Sequence, residues 1–233
     1  MSITGSSEFK KARMADTEGA MLSQSAYNAV IGFLVLLGLG LNFAVYFLTR
    51  RGDAIMNLIV SNSVSPWVLI VPVLIGGIAG SVITQKAKTP GVRVLGFLLM
   101  ALVMSFSLTI IMSIYMGESI LAALSITAVV TVFMMMLAVA FPSFFLGMGR
   151  VLGISLLVCI IAELVGYFAF HAPMDWMNWV VALLFCGFIG FDWARAQAYP
   201  KSLNNAIASA ADIYLDVINL FIRILEIMGR RRD

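Results

Sequence analysis

Long unbroken apolar runs are what most constrain the fold of this chain. They cover about Tyr27 to Leu48, Pro66 to Thr84, Val94 to Met116, Ile120 to Phe141, Val151 to Phe170, Trp176 to Phe191 and Ala206 to Met228. A helix needs roughly 20 apolar residues to cross the hydrocarbon core of a bilayer. Lipid offers no partner to an exposed backbone N–H or C=O, so only helices and closed barrels span it. A barrel strand alternates apolar and polar residues over about ten positions, and these runs are continuous instead. Of the 233 residues, 61% are apolar and 12% are charged, about half the charged share of a soluble domain. Mean hydropathy is +1.01. A soluble globular domain, a disordered chain and a nucleic-acid module are excluded. The expected fold class is all-α, a polytopic membrane protein with seven transmembrane helices. Residues 1–25 form a polar segment before a membrane domain at 26–230.

The charges orient the chain in the bilayer. Net charge is +3, from 15 basic and 12 acidic side chains, and the basic ones sit at run ends and in loops. With the amino terminus inside, inner segments hold Lys10, Lys11, Arg13, Lys86, Lys88, Arg93, Arg150, Arg195 and Lys201, while outer loops hold Arg50 and Arg51. The positive-inside bias therefore makes the amino terminus cytoplasmic. Residues 1–25 lack the apolar core of a signal peptide. The stretch Gly5 to Phe9 reads as a candidate cloning scar, left out of the fold. The seventh run leaves two options. If it spans fully, Arg230 to Arg232 end outside; if it is re-entrant or short, which the charge bias favours, they end inside.

Cys159 and Cys186 fall inside apolar runs and read as small buried hydrophobes. No Cys/His cluster suggests zinc or haem, and His171 lies in a short loop. Gly76 and Gly80, and Gly187 and Gly190, mark places where helix backbones approach closely.

Acidic residues carry the functional information. A central Asp costs about 2.5–3.5 kcal/mol on insertion scales, so a carboxylate inside a run faces a partner, water or a pathway. Glu163 lies in the fifth run, Asp192 at the end of the sixth, and Asp212, Asp216 and Glu226 in the seventh. Asp212 and Asp216 are four apart and share a helix face that Asn219 continues. Their repulsion calls for a raised pKa or a compensating cation. Antiparallel pairing of the sixth and seventh helices allows an Asp192–Asp216 pair without requiring it. Two carboxyls about 3 Å apart share one proton and titrate as a pair. Protonated, they pin the two helices; ionised, they repel and attract a cation. Carboxylate oxygens suit Ca²⁺, but tight binding takes six to eight, so Asp192 and Asp216, if they meet, make a weak, transit-type Ca²⁺ site.

The segment Gly190-Phe191-Asp192, a short polar loop, and then Asp212-Ile213-Tyr214-Leu215-Asp216-Val217-Ile218-Asn219-Leu220-Phe221 resembles the Bax inhibitor (transmembrane Bax inhibitor motif) family. The 24-residue gap between Asp192 and Asp216 matches the family's dyad spacing. The closing stretch from Asn219 to Arg232 looks like bacterial members. The resemblance covers most of residues 26–230. It implies seven helices with the last one central and wrapped by the other six, and a pH-sensitive calcium leak channel of the inner membrane. Carried over by motif, Asp192 and Asp216 are the pH sensor and ion pathway, and Asp212 matches an acidic position of eukaryotic members. Together with Asp212, Glu163 and Asn219 are the candidate supporting residues from the reading of the acids and the shared helix face. The family's usual Asp-Thr-Gln reads Asp192-Trp193-Ala194 here, and its dyad-engaging basic residue on the second helix has only Lys86, Lys88 or Arg93 to stand in.

The expected activity is transport, not enzymatic catalysis. Ca²⁺ is the permeant ion, no cofactor is required, and the partners are the bilayer and calcium ions, with no nucleic acid. The alternative is a non-transporting interaction protein that modulates a membrane protease or cell-death and stress partners. An intramembrane aspartyl protease would need Gly-x-Gly-Asp where residues 189–192 read Ile-Gly-Phe-Asp. A retinal protein would need a Lys on the seventh helix, and none is there.

Overall fold

The structure, a computed structural model, describes residues 11, 13, 14, 20–49, 66–170 and 175–231. The expectations placed on Gly5 to Phe9, on Arg50 and Arg51, and on His171 lie outside the described residues. Among those described, seven helices exceed twenty residues: α1 (Gln24–Leu48), α2 (Pro66–Lys86), α3 (Pro90–Ser113), α4 (Gly117–Ala140), α5 (Pro142–Val165), α6 (Asp175–Ala198) and α7 (Leu203–Met228). A π turn, Gly166–Phe170, extends α5. The all-α class holds.

Five of these helices, α1, α3, α4, α5 and α6, are long and apolar enough to cross a membrane. They leave large apolar side chains exposed, among them Leu36, Val129, Val151 and Leu183. Water penalises such a display, whereas hydrocarbon accommodates it. The chain is an integral membrane protein.

Three boundaries differ from the sequence reading. Phe141 alone separates α4 from α5, with φ −129° and ψ 57°. Pro142 starts α5, nine residues before Val151, where the fifth apolar run begins. Proline has no N–H to lose in a first helical turn, and it drives the residue before it out of the α region. Secondly, α6 does not stop at Phe191 but carries Asp192, Arg195 and Gln197 in helical conformation to Ala198. Polar residues end an apolar run without ending a helix; Pro200 ends this one. The Lys201 ammonium then caps it, donating to the carbonyls of Gln197 (2.7 Å) and Ala196 (3.3 Å). Partial burial pushes the Lys201 pKa down. Thirdly, α7 is not short. It is one uninterrupted helix of 26 residues, about 39 Å at 1.5 Å per residue. It contains no Gly or Pro that would break it.

The residues form two compact units, Met1–Ser113 with Ala196–Tyr214, and Ile114–Arg195 with Leu215–Asp233. Helices α6 and α7 contribute residues to both. In the first unit α3 packs against α1 and α2. A Cβ on Gly80 would stand 2.7 Å from the Met100 nitrogen, and one on Gly96 would stand 2.7 Å from the Thr84 nitrogen. The backbones of α2 and α3 therefore touch, as the glycine spacing predicts. Tyr214 of α7 packs edge-on to Phe97 and donates to Asn42 Oδ1 at 3.0 Å.

In the second unit α5 meets α6 through small residues, with Leu152 against Gly187 and Phe145 against Gly190. Ala138, Phe145 and Ala194 form a buried cluster across α4, α5 and α6. The segment after α7 is held to the α3–α4 turn, where Met116 N–H donates to Arg230 O (2.9 Å) and Arg230 N–H to Ser119 Oγ (3.0 Å). Cys159 and Cys186 are free thiols.

Candidate functional site

In the second unit, Asp216, Asn219 and Arg223 recur at i, i+3 and i+7 along α7 and so share one face. With Cys159 and Glu163 of α5 and Val181 and Phe185 of α6 they line a cavity of about 310 Å³. Most of the wall is apolar, and its polar groups are few and placed by helices. Asn219 Nδ2 donates to Leu215 O at 2.7 Å within α7, which uses one of its two N–H groups and none of the acceptor capacity of its amide oxygen.

Arg223 organises one end of the site. Its Nη2 donates to Glu163 Oε2 at 3.0 Å, and its Nη1 stands 2.9 Å from the other carboxylate oxygen as an ion pair. The same Nη1 donates to Asn178 Oδ1 at 2.6 Å and to Glu226 Oε2 at 3.3 Å. One cation thus holds two carboxylates, and Asp216 adds a third to the surroundings of the cavity. Counted as ionised, the cluster is net negative and favours a cation.

The two sequence-predicted dyad residues are both buried, Asp192 at 8% exposure and Asp216 at 7%. Asp216 is part of the cavity wall; Asp192 is not among the described residues of that wall. Arg195, one turn further along α6, stands 2.7 Å from the Asp192 carboxylate and over the Phe191 ring.

Asp212 has its own partners in the first unit. Arg13 Nη1 donates to its Oδ2 at 3.0 Å and Gln85 Nε2 to its Oδ1 at 2.7 Å. The compensating cation that the Asp212–Asp216 spacing demands is Arg13 for Asp212. Of the stand-in basic residues, Lys86 and Lys88 are exposed. Arg93 is buried and donates to the carbonyls of Ala87 (2.6 Å) and Asn204 (3.3 Å).

Of the five predicted residues, Glu163, Asp216 and Asn219 line one cavity, Asp192 pairs with Arg195, and Asp212 pairs with Arg13. Sequence reasoning missed Arg13, Gln85 and Arg223 as the partners of these acids. For Arg223 a signal existed, because it is a cation inside an apolar run that also needed a partner, and Glu163 was the available one. For Arg13 there was none, since a basic residue in a polar stretch reads as solvated.

A family model described as "Inhibitor of apoptosis-promoting Bax1" matches residues 19–233. The inner membrane protein YbhL of Escherichia coli is 26% identical over 216 residues, covering 88% of this chain and 92% of that one. An uncharacterized protein of Borreliella burgdorferi is 26% identical over 224 residues, covering 91% and 95%. An uncharacterized membrane protein of Streptococcus pyogenes serotype M1 is 26% identical over 212 residues, covering 87% and 91%.

Proposed function

The chain belongs to the family of inhibitors of apoptosis-promoting Bax1, and from that premise we propose that it is a pH-sensitive calcium leak channel of the bacterial inner membrane. Asp192 and Asp216 are its titrating pair, with Glu163, Asn219 and Asp212 in support. All seven helices cross the bilayer in this reading, and α7 lies innermost. The inward place of α7 is supported by its buried side chains, Ile213, Tyr214, Leu220 and Leu225 among them. Ca²⁺ is the permeant ion. No cofactor and no enzymatic reaction belong to this function.

The observation that carries the reading is the cavity. Asp216, Glu163 and Asn219 bring carboxylate and amide oxygens, hard ligands for Ca²⁺, to a space of about 310 Å³ in a membrane-embedded unit. The acidic groups outnumber the single Arg223, so a cation is favoured and an anion is not. So few oxygens cannot replace a full calcium shell, which suits brief occupancy and release. Protonation of a buried carboxylate removes the attraction, and this couples the leak to pH.

The test is ⁴⁵Ca²⁺ uptake into proteoliposomes across a pH series. Wild type is expected to show pH-dependent flux, and Asp216→Asn and Asp192→Asn to flatten that dependence. Flux unchanged in both variants would remove the dyad from the mechanism. A wild-type protein that conducts at no pH would leave the non-transporting interaction protein.

A further inference from the structure

Arg13 is a charged side chain only 2% exposed. Four of its N–H directions are engaged: Nε donates to Asn205 Oδ1 (3.3 Å), Nη1 to Asp212 Oδ2 (3.0 Å), and Nη2 to Asn205 O (3.1 Å) and Ser209 Oγ (2.6 Å). The Tyr199 ring lies 4.3 Å from its Cζ. The acceptors come from positions 205, 209 and 212 of α7, one helix face at i, i+4 and i+7.

Each of these acceptors is also positioned by something other than Arg13. Gln85 holds the other oxygen of Asp212 at 2.7 Å. Tyr27 OH stands 3.4 Å from Ser209 Oγ. Asn205 Nδ2 donates to Pro200 O at 3.1 Å as well as to the Arg13 backbone carbonyl at 2.9 Å, a contact that outlasts loss of the Arg13 side chain, and the two together aim its Oδ1. The seat is thus built by the fold and not only by its occupant.

We propose that Asp212, Asn205, Ser209 and Tyr199 form a guanidinium-recognition site that the chain fills with its own Arg13, and that a free guanidinium-bearing cation can take the same seat. The chemistry selects this class. One carboxylate and three neutral acceptors match a monovalent cation with several donors. The aromatic face at 4.3 Å favours a planar, weakly hydrated cation. A divalent metal ion would need six to eight oxygens and gains nothing from the ring.

The experiment uses the full-length protein in detergent. Arg13→Ala vacates the seat and is expected to melt several degrees below wild type. Millimolar guanidinium chloride, far below denaturing concentration, is expected to raise the Arg13→Ala midpoint by several degrees through binding to the folded state, and to leave wild type unmoved. Sodium chloride at equal ionic strength should not substitute. Adding Asp212→Asn to Arg13→Ala should abolish the response. An Arg13→Ala midpoint that guanidinium does not raise overturns the proposal, as does an equal rise with sodium or in the double variant. Arg13→Gln carries the same comparison should Arg13→Ala not fold.

Discussion

Arg223 is the single side chain on which most of the polar chemistry of the second unit converges. Replacing it with Met leaves Glu163 and Glu226 without their shared cation. The expected cost is about 1–3 kcal/mol, the range for charge-assisted hydrogen bonds, discounted because the three groups are about a quarter to a third exposed. Adding Glu163→Gln should recover part of that loss. A double-mutant cycle on unfolding midpoints in detergent measures the coupling, and strict additivity would show that the pair contributes nothing. Tyr214→Phe removes a hydroxyl shared between Asn42 Oδ1 (3.0 Å) and Ala101 O (3.4 Å), and should cost about 1 kcal/mol. The acids Asp192, Asp212, Asp216 and Glu163 were legible in the sequence because an ionisable group in an apolar run is costly and therefore informative. Their partners were not. Which cation reaches which acid depends on which helices adjoin, and Arg13 meets Asp212 across almost the whole length of the chain.

Two pairs of helices show what a junction between elements tolerates. Gly80 and Gly96 let α2 and α3 approach to backbone contact. Gly80→Ala should therefore force the helices apart at about 1–3 kcal/mol, the usual cost of overpacking. Gly76→Ala should cost less, because its nearest neighbour is the Val103 side chain and not backbone. Thermal midpoints of the two variants rank them directly. The α4–α5 junction is tighter in another sense, since a single residue, Phe141, joins two helices of 24 residues. The positions of the helices were legible from hydropathy, but their ends were not. Apolar runs report what faces lipid, and a helix continues wherever its backbone bonds are satisfied. That is why α6 runs on through Asp192 and Arg195, and why Pro142 opens a helix instead of closing one.

At the scale of the whole molecule, the exposed faces of α1, α3, α4, α5 and α6 and the buried side chains of α7 divide the helices into two kinds. A charge on a lipid-facing position should be costly. Val129→Lys on α4, 70% exposed, is expected to cost about 2.5–3.5 kcal/mol of insertion, readable as a loss of membrane-integrated protein against the soluble fraction. The neutral replacement Val129→Leu should insert as wild type. The division between the two kinds also bears on biogenesis. Helix α7 carries Asp212, Asp216, Arg223 and Glu226, too many charges to wait alone in hydrocarbon. It follows α1 to α6 in the chain, and Gln85 of α2, Glu163 of α5 and Asn178 of α6 are the side chains that bond its Asp212 and Arg223. The order of synthesis therefore brings out the most highly charged of these helices after the segments whose side chains pair with its charges.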